Sequence, residues 1–286
     1  MTDLQKKLLE MLKVFIKVCD DNNLRYFLSS GTTLGAVRHH GFIPWDDDID
    51  VMMPREDYEK LMSLKHPFDD DRYFLQCYKT DPHYILNYGK LRDSSTTFIE
   101  NNYAHHKINH GVWIDIFPID GRSKMIKPNR FKAKIQNLRF WANVWLCYPY
   151  AFRRKFRLKY FFTDLMFNLI AFIFFPLNVF LYRNRLVDWW CTRVKYDEAT
   201  YVGMIGDFYI NHAMWPKEWT DDKVMMQFED VMAAVPKEYD KYLTFIYGDY
   251  MKLPPIEKQV GHHHDKGFSL TVGYKDYKKS KKNKSK

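Results

Sequence analysis

The sequence has no CxxC pair. Its four cysteines, Cys19, Cys77, Cys147 and Cys191, are far apart, which excludes a zinc knuckle and a dithiol redox motif. It has no signal-peptide run at its start, where "MTDLQKKLLEML" mixes charges with apolar residues. The expectation is a cytoplasmic protein with reduced thiols. It has no unbroken apolar run of the roughly 20 residues that cross a bilayer. The nearest candidate, "LMFNLIAFIFFPLNVFLY" over 165–182, is interrupted by Asn168, Pro176 and Asn178. A shallow interfacial helix with basic flanks and a buried core helix both fit that stretch better than a full span. No RNA-binding motif is present, which argues against a nucleic-acid binder, and no internal repeat is visible.

What is present points to a packed globular chain. Of 286 residues, 46% are hydrophobic and 28% charged, so a core is expected and disorder is not. Aromatic residues reach 17%. The net charge of +9 is unevenly placed: seven lysines and one aspartate give 275–286 a charge of +6, leaving +3 for the rest. Such a tail is expected to be disordered, or to hold the protein near an anionic membrane surface.

Periodicity predicts an amphipathic helix over 3–22, on Leu4, Leu8, Met11, Leu12, Phe15, Val18 and Cys19, capped by Thr2 or Asp3. A short strand is expected at Arg25–Ser29, a helix from Ser30–Gly31 closing at Gly41, a strand at Asp48–Met52 and a helix after Pro54. "YFLQCY", "NYGKLRD", "TTFIE" and "VWIDIF" read as further strands. The class is α+β or α/β. From about 125 the pattern turns helical, basic and aromatic.

One stretch carries the chemistry. "PWDDDID" places Asp46, Asp47, Asp48 and Asp50 within five positions. Side chains alternate along a strand, so Asp48 and Asp50 share a face. Two converging carboxylates raise each other's pKa unless a cation neutralises them, and a hard divalent ion such as Mg²⁺ takes oxygen ligands. Asp115, alone among apolar neighbours in "VWIDIFPID", is costly to bury unless paired or ligating. It completes a three-carboxylate metal site if its strand lies beside the first. Ahead of the acids, Ser30, Gly31 and Thr32 begin a helix whose N–H groups suit phosphate oxygens, while Arg38, Lys90 and Arg92 are candidate phosphate clamps or surface ion pairs. "GHHHD" at 261–265 has no nearby cysteine, and consecutive histidines cannot all face one ion, so a zinc site there is disfavoured.

These residues resemble a known family. "FLSSGTTLGAVRHHGFIPWDDDIDVMMPREDYEKL" is similar to the signature of the LicD family, whose relatives include the fukutin-type proteins, and "GKLRD", "GVWIDIFPID" and "YGDYMKLPP" match further blocks. The resemblance implies an α+β, nucleotidyltransferase-like mixed sheet flanked by helices. It implies a core over 1–124, a helical region over 125–200, a completing part over 201–274 and a lysine-rich tail over 275–286. It implies catalytic and metal-binding roles for Asp48, Asp50 and Asp115 with Mg²⁺ or Mn²⁺. The reaction it implies moves a phosphate-linked group, phosphocholine first, from a CDP-activated donor to a glycan or lipid-linked glycan hydroxyl. The basic, aromatic segment 130–190 suits an acceptor on a lipid carrier, which places the expected protein at the inner face of the cell membrane. CDP-ribitol or CDP-glycerol donors, and a nucleotide-sugar glycosyltransferase using D-x-D, are the alternatives.

Overall fold

The structure, a computed structural model, describes residues 1–84, 86–104, 106–125, 161–162, 165–166, 169, 186–204, 214–261, 263 and 265–277. The first helix, α1 (Asp3–Asp21), opens with a complete capping box: the Thr2 hydroxyl accepts from Gln5 N–H while the Gln5 side chain accepts from Thr2 N–H. Such a cap contributes about 1 kcal/mol. Its apolar stripe, Leu8, Met11, Leu12, Phe15, Val18 and Cys19, is buried, as the spacing predicts. Gln5 lies on the same face for another reason, its amide donating to Asp46 O at 2.9 Å. The helix is thereby tied to the acidic loop.

Then follow β1 (Phe27–Leu28), α2 (Ser30–His39), β2 (Asp50–Pro54), α3 (Arg55–Ser63), β3 (Tyr73–Gln76), β4 (Gly89–Asp93), β5 (Thr97–Glu100) and the long β6 (Val112–Arg122). After the middle region come α4 (Leu186–Cys191), β7 (Tyr201–Gly203), β8 (Trp215–Pro216), the hairpin β9 (Lys223–Phe228) and β10 (Val231–Pro236), α5 (Tyr239–Tyr247) and β11 (Asp265–Ser269). The main sheet runs β1-β2-β6-β4-β3, with β7 and β8 added beyond the far end of β6. Among the described strands only the β2–β6 pair is parallel in it. Hairpin β9–β10 and the pair β5–β11 form two small sheets. The class is α+β.

One expectation is corrected. The strand read as Asp48–Met52 begins at Asp50. The Asp50 N–H donates to the Thr32 hydroxyl at 2.9 Å, so a side chain of α2 sets the strand's start and Asp48 stays in the loop before it. The region 125–200, expected to be helical, and the tail fall mostly outside the described residues, as do most of 165–182. Among the described residues no helix is long and apolar enough to cross a membrane.

The principal core gathers α1, the sheet and the β9–β10 hairpin, through Phe15, Tyr26, Ile49, Ile114, Phe228 and Ala233. A second cluster joins Met52 and Ile119 to Trp215 and Tyr242 of the C-terminal half. Between α3 and β6 lies a buried ion pair: Arg55 Nε donates to Asp120 Oδ1 at 2.6 Å. Stripping one partner from a buried pair costs about 3–5 kcal/mol because the other charge stays buried. Asp120→Ala is therefore expected to lose that much in urea unfolding, and Asp120→Asn, which keeps an acceptor for Arg55, markedly less.

Candidate active site

Sheet register builds the site. On β6, Asp115 lies opposite Asp50 of β2 on one side and Lys90 of β4 on the other. Directly opposed residues share a face, so Asp50, Asp115 and Lys90 form one row across three strands. Asp48 enters from the loop. The carboxylates of Asp48, Asp50 and Asp115 offer oxygens within 4.8 Å of one another. This donor set is all oxygen and triply negative, which suits Mg²⁺ or Mn²⁺. The three acids singled out in the sequence are thus brought together.

Asp115 is held at both oxygens. Trp113 Nε1 donates to Oδ2 at 2.9 Å, and Lys90 Nζ lies 3.0 Å from Oδ1. The same ammonium stands 4.2 Å from the Trp113 ring centroid and 3.6 Å from Glu100. Arg92, fully buried, stacks on Trp113 at 4.9 Å and donates to the Gln76 side chain and to Gly111 O, each at 2.7 Å. Lys90 and Arg92, expected as phosphate clamps or surface ion pairs, are both buried. Their charges face inward, onto Asp115, Glu100 and Trp113, because β5 and β11 pack over this face. Arg38 donates to Tyr250 O at 2.6 Å, linking α2 to the C-terminal half.

Burial alone would raise the Glu100 pKa. The Lys90 and Arg92 charges more than offset it and hold the carboxyl below its ordinary value. A lowered acid stabilises the fold above its unfolded pKa, about 4.3, and that stabilisation is lost as pH falls through the folded value. Glu100→Gln is expected to be less stable than the parent at pH 7, the difference closing as pH drops below about 4. Thermal unfolding of both proteins across that range measures it.

The phosphate-binding turn is present as a helix start, though not as an open cradle. Ser30 has φ of 45°, a left-handed conformation favouring residues with local hydrogen bonds. Its N–H lies 3.3 Å from the Tyr242 hydroxyl. Thr32 spends its hydroxyl on Asp50 N–H. At Gly31 a Cβ would stand 3.2 Å from Asp46 Oδ2, so the Asp46 carboxylate lies over the first turn of α2, where a negative charge is favoured. Burial first, then the Asp48 charge, pushes Asp46 up to about 8.

The sequence reading missed Trp113, Glu100 and Tyr242, and it left the role of His262–His264 open. His263 Nδ1 lies 3.0 Å from Asp47 Oδ1 and 3.7 Å from Asp48 Oδ2, and its backbone N–H donates to Asp47 Oδ2 at 3.1 Å. Burial would lower the imidazole pKa. Hydrogen bonding to Asp47, then the Asp48 charge, holds it at about 9. His262 and His264 lie outside the described residues. Of the three missed residues, Trp113 carried a signal, as the aromatic two residues before Asp115 on the same strand face, while His263 stood out in the "GHHHD" run.

Comparison with known proteins agrees with this geometry. Residues 23–163, which contain all three acids, match the family described as LicD/FKTN/FKRP, nucleotidyltransferase domain. The lipopolysaccharide cholinephosphotransferase LicD of Haemophilus influenzae is 29% identical over 270 residues, covering 92% of this chain and 95% of that protein. A 60-residue stretch, 21% of this chain and 12% of the relative, is 35% identical to the ribitol 5-phosphate transferase FKRP of mouse and of human. Residues 23–163 thus form a LicD-family domain that holds the acid site, and similarity to a LicD protein extends over nearly the whole chain.

Proposed function

We propose that the protein transfers a phosphate-linked head group, phosphocholine in the first instance, from a CDP-activated donor to a hydroxyl of a glycan or lipid-linked glycan. The convergence of Asp48, Asp50 and Asp115 on one sheet face, in a chain similar over nearly its whole length to a cholinephosphotransferase, carries this reading. The local similarity to a ribitol 5-phosphate transferase supports CDP-ribitol as the second donor to test. A nucleotidyltransferase-like fold is part of the same proposal.

The acceptor hydroxyl attacks the phosphorus of the transferred group. A new P–O bond forms, the P–O bond to CMP breaks, and the hydroxyl proton leaves to a base. Asp115 is taken up by the Trp113 N–H, the Lys90 ammonium and the proposed cation, and is not assigned as that base. Asp46, the acid of the run beside Gly31, is the proposed acceptor of the proton: with its pKa at about 8 a fraction is ionised near neutral pH and can take it. Gly31 and Ser30 at the start of α2 bind donor phosphate oxygens once Asp46 turns away from them. Asp48, Asp50 and Asp115 would hold a Mg²⁺ or Mn²⁺ ion, which when bound would neutralise charge on the donor diphosphate and the leaving oxygens.

Incubation with CDP-choline, CDP-ribitol, UDP-sugars and CTP in turn, with the small product identified, tests the reading. Release of CMP from a CDP-alcohol supports it. Turnover of a UDP-sugar, or pyrophosphate from CTP, replaces it with glycosyl or nucleotidyl transfer. Peripheral contact with an anionic membrane is proposed from the basic, aromatic composition of 130–190 and the lysine-rich tail.

A further inference from the structure

Asp47 and Asp48 are neighbours in one loop, yet they face different partners. Asp48 joins Asp50 and Asp115. Asp47 turns to the C-terminal segment and takes both donors of His263, the ring Nδ1 at 3.0 Å and the backbone N–H at 3.1 Å. Gly261 makes this approach feasible: a Cβ there would stand 2.7 Å from Asp47 Oδ2. Two residues beyond His263, β11 pairs with β5, and Phe268 packs edge-on against Phe98 at 5.6 Å.

The imidazole thus lies beside Asp47 and within reach of Asp48. Its Nδ1 is 3.7 Å from Asp48 Oδ2. Its ring stands edge-on to Trp113, centroids 5.2 Å apart, and Trp113 donates to Asp115 Oδ2. One side chain therefore bears on Asp48 directly and on Asp115 through the indole.

We infer that His263 is a positioning residue of the acid site, clamped there by Asp47 and admitted by Gly261, and that it sets the orientation of Asp48 and Asp115 toward a divalent cation without ligating that cation. This rests on the metal-dependent reading above. Partners that orient metal ligands typically contribute about 10- to 100-fold in metal affinity or activity when removed. It also accounts for the third aspartate of the run: Asp47 is spent on holding the C-terminal segment.

The test titrates Mn²⁺ alone, by calorimetry and by its paramagnetic resonance signal, into the full chain and three variants, with thermal unfolding recorded for each. His263→Ala is expected to weaken Mn²⁺ binding about 10- to 100-fold with the stoichiometry unchanged. His263→Asn, whose side-chain amide can donate to Asp47 in place of Nδ1, is expected to recover most of that loss. Gly261→Ala, which leaves every acid and the histidine in the sequence, is expected to resemble His263→Ala. A drop in the number of ions bound by His263→Ala makes the histidine a ligand and overturns the inference. Unchanged Mn²⁺ affinity in folded His263→Ala and Gly261→Ala overturns it as well. If the parent protein binds no Mn²⁺, the metal reading itself fails, an outcome separable from failure of the clamp.

Discussion

Asp48→Asn is expected to reduce head-group transfer by about a thousandfold or more while making the metal-free protein more resistant to heat. The loss follows from the proposed cation site: a divalent ion bound there would supply several kcal/mol of charge stabilisation, and about 1.4 kcal/mol is a factor of ten in rate. Asparagine keeps the shape of the side chain but removes one negative ligand. The gain follows from electrostatics in the absence of the ion. Burial raises the Asp48 pKa despite the opposing pull of His263, and Asp46 beside it is raised to about 8 by burial and by the Asp48 charge. Neutralising Asp48 removes that repulsion. Activity and stability thus move in opposite directions, a signature of a site kept for chemistry at the expense of the fold. Initial rates with the preferred donor and melting curves in chelator measure the two effects. A melting temperature lower than that of the parent would show that Asp48 is a structural carboxylate.

Lys90→Met is expected to lower both quantities. The ammonium is buried, 3.0 Å from Asp115, 3.6 Å from Glu100 and against the Trp113 face. Methionine fills much of the same volume and leaves two carboxylates without that cation. Breaking a buried ion pair on one side costs about 3–5 kcal/mol, a large share of the 5–15 kcal/mol by which most domains are stable. Activity falls too, since Asp115 loses the partner that fixes Oδ1. Denaturant unfolding and transfer rates distinguish this role from a phosphate clamp. A clamp variant would unfold like the parent and show a raised KM for the donor.

The acid triad was legible because two independent constraints met at it. Apolar residues alternate with Asp50 and Asp115, so each acid had to lie on a strand with one core face, and a buried aspartate demands a counter-charge. The parallel register of β2 on β6 then set Asp50 against Asp115. The start of β2 was less legible, because the Thr32 hydroxyl that takes the Asp50 N–H belongs to another element. Lys90 and Arg92 show the same limit. Alternation places both on the face of Asp115, but it does not say whether that face is open. The answer depends on β5 pairing with β11, 165 positions apart at Asp265 and Glu100. The role of His263 was hidden for the same reason, since its partner Asp47 is 216 residues away. Most of the α1 stripe, by contrast, was readable, since its cap and spacing are local, though buried Gln5 and Leu9 were not in the predicted set.

The central claim is tested most directly by calorimetric titration of the protein with CDP-choline and with CDP-ribitol, each with and without Mg²⁺, beside Asp50→Asn. The account predicts that one donor binds, that binding requires Mg²⁺, and that Asp50→Asn abolishes it. Donor binding of equal strength without Mg²⁺ and in Asp50→Asn would contradict it.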